Sequence, residues 1–149
     1  MRRMAKGLGI TTLVILSYAL GRAQGKTIDS AVISAPLATL AEQAAWGEFH
    51  AYYEGATTQT PAMLVGIADI RPGMQNHPPH KHADEEIIII KEGAVEAEVN
   101  GQTRRLGPGG VIFEASNELH GLRNVGSGPA VYHVIRWTSP GARPLEGTR

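Results

Sequence analysis

An all-β domain of the sandwich or barrel kind is the fold class this sequence predicts, and three observations predict it. The chain carries 18 glycines and nine prolines in 149 residues, enough turn formers to cut it into short pieces. The apolar runs between those turns are short, the length of strands. From Trp46 onward no segment sustains the period of a long helix. The length suits one domain with a real core, and an apolar fraction of 42% excludes both a disordered chain and a multi-span membrane protein.

The first residues are set apart from the domain. Arg2, Arg3 and Lys6 form a basic head, an apolar stretch runs from Leu8 to Leu20, and Gly21-Arg22-Ala23 supplies a small-residue exit, with Ala23-Gln24-Gly25 as a second option. That order describes a secretory signal peptide over residues 1–23, which places the mature protein as secreted or periplasmic. The apolar part is short against the roughly 20 residues of a spanning helix, so stable membrane insertion is not expected. The whole chain has 14 basic and 14 acidic residues. Loss of Arg2, Arg3, Lys6 and Arg22 leaves 10 against 14, a mildly acidic domain that argues against nucleic acid as a partner. The absence of cysteine excludes disulfides, thiolate metal sites and cysteine nucleophiles.

Along the rest of the chain, residues 24–60 read as an N-terminal extension with early strands, 61–138 as the barrel core and 139–149 as a tail. Ala31 to Ser34 can pair as an edge strand, and alanine-rich Leu37 to Ala45 reads as a short helix. Seven strands follow: Gly47 to Tyr53, Met63 to Ile70, Glu86 to Lys91, Val95 to Val99, Gly110 to Glu114, His120 to Asn124 and Val131 to Trp137. Glu92-Gly93 and Asn100-Gly101 mark reversals, the second a strong hairpin signal. Four consecutive isoleucines, Ile87 to Ile90, predict a central strand covered on both faces. Gly47 to Tyr53, with exposed edge groups, is the element expected to pair between chains in a homodimer.

The chemistry concentrates between Pro72 and Glu86. His80 and His82 are two apart, so in an extended segment both rings point to one side. Glu86 keeps that parity and Glu85 does not. Two imidazoles and a carboxylate converging on one side form half of a transition-metal site. Pro108-Gly109-Gly110, a short apolar strand, a turn at Ser116-Asn117-Glu118, His120 and Asn124 follow.

The stretch His80-x-His82-x3-Glu86-x6-Gly93 resembles the first signature of the cupin superfamily, and Pro108-Gly109-Gly110 through His120-x3-Asn124 resembles the second, at the short separation of compact single-domain members. The resemblance covers residues 60 to 138. Gly73 lies one residue further from His80 than is usual, Gly110 replaces a common aspartate and Ala115 a common proline. The resemblance implies a double-stranded β-helix, or jelly-roll barrel, with one divalent transition metal held by His80, His82, Glu86 and His120. Parity alone selects the first three. Iron, manganese, nickel, copper and zinc all accept such a set, which leaves room for one or two exogenous ligands. Many relatives form homodimers.

Two function classes then stand. One is a small exported metalloenzyme, an oxidoreductase of dioxygenase type or a hydrolytic or isomerising enzyme, acting on a small organic substrate. The other is a non-catalytic metal-dependent module binding a small ligand or sugar. On the last strand Val131, His133, Ile135 and Trp137 share the more apolar face, which predicts that they point inward. His133 is therefore the candidate catalytic proton carrier, with a structural, hydrogen-bonded histidine as the alternative. Phe113 and Met63 are candidates for the apolar wall. Asn124 is expected to hold a turn or the barrel rim rather than the metal. His77 reads as a surface-loop residue with a place at the pocket mouth as its alternative, Asp84 as a turn residue, Glu85 as solvated or paired to Lys81, and His50 as structural.

Overall fold

The computed structural model describes residues 27–35 and 38–143; the signal-peptide reading of residues 1–23 lies outside them. Nine strands follow in chain order: β1 (Thr39–Ala44), β2 (Gly47–Gly55), β3 (Ala62–Ile70), β4 (Glu85–Glu92), β5 (Val95–Val99), β6 (Gln102–Leu106), β7 (Val111–Glu114), β8 (His120–Asn124) and β9 (Ala130–Thr138). They form a six-stranded sheet in the order β1-β2-β3-β9-β4-β7 and a three-stranded sheet in the order β6-β5-β8. Every pairing between strands is antiparallel. This is the all-β jelly roll that the sequence predicts.

The core lies between the two sheets. Ile70, Ile88, Ile90, Ile112 and Val134 enter it from the larger sheet, Val95, Ala97 and Leu122 from the smaller. Period-2 alternation produces this face: in β4 Ile88 and Ile90 are buried while Ile89 is 37% exposed. The expectation of a central strand covered on both sides is corrected here. β4 sits one place from the edge of its sheet, between β9 and β7, and its four isoleucines serve two different surfaces.

Three early expectations also change. Of the stretch Leu37 to Ala45, the described residues 38–45 do not make a helix; Thr39–Ala44 is an edge strand, because pairing with β2 satisfies its backbone and tertiary pairing outweighs a weak helical preference. Ala31 to Ser34 is not in a strand. β2 is therefore flanked by β1 and β3, so its edge groups are already used and it cannot be the strand that pairs between chains. The reversal at Asn100-Gly101 forms as expected, with φ of 50° and 76°, the two positive values a tight primed turn needs. It delivers β6, which the sequence conceals because its residues, Gln-Thr-Arg-Arg-Leu, are almost all exposed.

Candidate metal site

The site forms at the end of the barrel where β4, β7 and β8 meet the segment preceding β4. His80 is bridged to His120, each backbone N–H donating to the other's carbonyl at 2.9 and 3.0 Å. His82 is held next to the β7–β8 turn, its carbonyl accepting from the Asn117 N–H at 2.7 Å while the Ser116 hydroxyl donates to the Ala83 carbonyl at 2.8 Å. These bonds bring two residues of a loop and the first residue of β8 to one place. The ligand atoms of His80, His82 and His120 lie within 4.8 Å of one another. Glu86, inward on β4, puts Oε2 3.7 Å from His82 Nε2.

Backbone carbonyls orient two of the rings. His82 Nδ1 donates to the Asp84 carbonyl at 3.1 Å and His120 Nδ1 to the Glu118 carbonyl at 2.9 Å. A proton on Nδ1 leaves Nε2 with its lone pair, the form a metal needs. Burial pushes the His80 and His82 imidazoles down to about 4, and neighbouring positive groups, including His120 and Arg136, push the same way. Burial raises the Glu86 carboxyl to about 7 against the opposing pull of Arg136.

The structure also brings in Glu114 and Tyr132, which the sequence reading leaves aside, and His77, which it gives a place at the pocket mouth only as an alternative. Glu114, at the end of β7, is only 1% exposed, and its Oε2 lies 3.6 Å from His120 Nε2. Burial and then the charge of Glu86 push its carboxyl up to about 8. Its signal was its inward parity with Ile112 in a strand that is otherwise apolar. His77 lines the same small cavity, and its ring centroid is 4.1 Å from that of His80, so it stands at the mouth of the site. Tyr132 lines the inner wall, its hydroxyl accepting from Asn76 Nδ2 at 3.4 Å.

His133 is not among them. Tyr132 and Val134 belong to the core, so His133, on the alternate side of β9, faces outward with its ring stacked on Tyr52 at 6.2 Å. The inward assignment is corrected: both faces of β9 carry apolar residues, and a count of them picked the outer one. Phe113 likewise points out, 54% exposed. Asp84 pairs with Arg136 and accepts a bond from the Thr138 hydroxyl. Glu85 accepts from Trp137 Nε1 and the Ser139 hydroxyl rather than pairing with Lys81. Asn124 does what was expected of it: fully buried, it donates to the Ile70 and Gly128 carbonyls and accepts from the Gly126 N–H.

Residues 66–136 match the family described as Cupin domain. The chain has the cupin fold. Solved structures agree: the cupin domain of Schizosaccharomyces pombe Cnp3 superposes with a TM-score of 0.59 at 20% identity over 71% of this chain and 72% of that one. An RmlC-like cupin from Shewanella frigidimarina gives 0.61 at 12% identity, over 76% and 95% of the two chains. KdgF from Halomonas sp. gives 0.59 at 18%, over 72% and 94%. No curated protein is similar enough to the chain to count as a match. Within this cupin fold, β1 and β2 lie outside the matched residues yet extend the same sheet.

The ionisation pattern makes a pH prediction for chelator-treated protein. His80 and His82, neutral in the fold down to about 4 against 6.5 when free, contribute stability that is complete above pH 6.5 and lost as pH falls through 4. Glu86 and Glu114, protonated in the fold up to about 7 and 8 against 4.5, contribute stability that is present below pH 4.5 and lost as pH rises through 7 and 8. Between 4.5 and 6.5 the carboxyls oppose the imidazoles, but His77 and His120, which burial also lowers, act with His80 and His82, so stability rises toward a maximum near pH 6.5. From pH 6.5 to 8 only the carboxyls act, so the melting temperature should drop by several degrees. A melting temperature that climbs over that range contradicts the assignment.

Proposed function

We propose that this chain is an exported, divalent-metal-binding cupin that acts as a small metalloenzyme on a small organic substrate, with His80, His82, Glu86 and His120 holding the ion. The observation that carries the reading is a set of converging imidazoles whose buried atoms, His80 Nδ1 and His120 Nε2, have no hydrogen-bond partner among the described residues. Buried polar atoms are nearly always partnered, and a cation is the partner this donor set suits. When bound, such an ion supplies Lewis-acid activation of water, dioxygen or a chelating substrate.

The chain's own residues supply the rest. The Asp84 and Glu118 carbonyls hold the Nδ1 protons in place, while Ile88 and Leu122 line the inner cavity and limit its water. That cavity has a free volume of about 10 Å³, room for roughly one water-sized group. An organic substrate therefore approaches from the mouth, past His77, and only a small exogenous ligand fits inside. The reaction class that suits this is oxidative or hydrolytic chemistry on a substrate presenting one polar group inward. The same small volume favours, as a second reading, a binding module whose metal holds a ligand at the rim without turnover.

The outer face of the larger sheet supports the homodimer. Val65, Ile67, Ile87, Ile89, Phe113 and Ile135 are neighbours in register across β3, β9, β4 and β7, and a contiguous apolar sheet face of this kind marks an interaction surface. We place the second copy there rather than on β2. Native mass spectrometry of protein expressed from the full chain and purified from the exported fraction tests these parts together. The expected species is a dimer of chains beginning near Gln24 or Lys26, each with one divalent ion. A soluble exported chain retaining Met1 rejects export by cleavage, a monomer at micromolar concentration rejects the dimer, and a metal-free mass after reconstitution rejects the metal site. Turnover then separates the enzyme from the binding module.

A further inference from the structure

We infer that Glu114 is a fifth protein donor to the ion, so that the centre of this chain is a three-histidine, two-carboxylate set. The inference rests on the metal-binding reading above and adds to it a residue outside both signature motifs.

Glu114 and Glu86 are direct cross-strand partners in the β4–β7 pair, and both point into the barrel. Like charges opposite one another on neighbouring strands destabilise a sheet, the more so when buried. Glu86 has Arg136 beside it in register on β9. Glu114 is different: among the described residues the only group at ion-pair distance is His120 Nε2, and Glu114 Oε2 has no hydrogen-bond partner.

With the Glu114 carboxyl ionised, as metal binding requires, the contact with His120 is between two acceptors. With the His120 Nδ1 proton committed to the Glu118 carbonyl, Nε2 turns a lone pair toward a carboxylate oxygen 3.6 Å away. His82 Nε2 and Glu86 Oε2 repeat the arrangement at 3.7 Å, with Nδ1 committed to the Asp84 carbonyl. Two donors on one ion at about 2.1 Å each lie about 3.0 Å apart when adjacent and about 4.2 Å apart when opposite. Both observed distances fall within that span. Charge agrees: three neutral imidazoles, two carboxylates and one divalent cation sum to zero, whereas a four-donor set carries a net positive charge and leaves Glu114 Oε2 buried beside it without a partner. A five-donor set on an octahedral ion keeps one position open for an exogenous ligand, in line with a cavity that admits one.

Metal-stripped protein titrated with Co²⁺, followed by calorimetry and visible absorption, tests this in the wild type, Glu114→Gln and Glu114→Leu. The wild type should bind one Co²⁺. Both variants should bind at least tenfold more weakly and show a changed d–d spectrum. Metal-free Glu114→Leu should melt above the metal-free wild type, because a buried carboxyl whose Oε2 has no hydrogen-bond partner is gone. Wild-type affinity and spectrum in either variant overturn the role of Glu114 while leaving the His80, His82, Glu86 and His120 site intact; failure of the wild type to bind Co²⁺ overturns both. Should the variants not fold, a crystal structure of the Co²⁺-loaded wild type decides. A Glu114 oxygen within about 2.0–2.2 Å of the ion supports the inference, and one beyond 3 Å ends it.

Discussion

His82→Ala is expected to abolish stoichiometric divalent-metal binding while leaving the fold in place. The imidazole contributes one of the three nitrogen donors that converge within 4.8 Å. Loss of groups that merely orient a ligand commonly weakens metal binding 10–100-fold, so removal of the ligand itself should exceed about 100-fold. The backbone around position 82 is fixed independently of the ring, by the Asn117 N–H and the Ser116 hydroxyl, and the side chain is not part of the hydrophobic core. Chelator-treated variant and wild type should therefore melt at similar temperatures. The difference emerges on adding metal. At about 100 times the dissociation constant a bound ion stabilises the folded state by about 2.7 kcal/mol, equivalent to about 10 °C in a domain of this size. The wild type should show that rise and His82→Ala should not. Full metal occupancy in the variant would sink the ligand assignment.

Gly93→Ala should be the most damaging single-methyl substitution in the β4–β5 connection. Gly93 has a φ of +81°, and a Cβ built there would sit 2.4 Å from the Pro129 carbonyl oxygen and 2.8 Å from the Ala130 Cα. The left-handed conformation costs a non-glycine residue about 1–3 kcal/mol. The contacts are with main chain at the start of β9, which cannot swing aside as a side chain would, and overpacking adds about 1–3 kcal/mol. A total near 4 kcal/mol lowers the melting temperature by about 15 °C. Gly109→Ala is the matched control, with a φ of +84° and nothing within 4 Å of its Cβ position. It should show the conformational part alone. Equal losses in the two variants would remove close approach as the reason the first signature closes on glycine.

Much of this architecture follows from local pattern. Seven of the strands coincide with short runs punctuated by turn residues, and in β4 parity places Glu86 on the side of Ile88 and Ile90. Spacing likewise puts His80, His82 and Glu86 on one side, whereas the third histidine, His120, is implied only by the resemblance of its stretch to the second cupin signature. Such features are legible because side-chain direction in an extended chain alternates residue by residue, and because positive φ values at turns restrict residue type. β1 and β6 are less visible: one has a helical composition and the other an exposed polar one, and both are strands because a neighbour offers them hydrogen bonds.

Choosing between two apolar faces is another matter, since alternation says which residues go together but not which set goes in. β9 shows the consequence. The larger sheet has apolar residues on its inner face and also on its outer one, so Val131, Ile135 and Trp137 carried His133 to the wrong side in a reading based on composition. Only the packing of one sheet on the other, with Tyr132 and Val134 between them, resolves it. The same packing gives Glu114 its meaning. In sequence it is one acid at the end of a four-residue strand; in the folded barrel it lies opposite Glu86, against His120 and away from water. Residue types and their spacing thus supply the donors, and long-range strand pairing supplies the charge balance among them, because burial and cross-strand neighbours are properties of the closed barrel rather than of any segment of it.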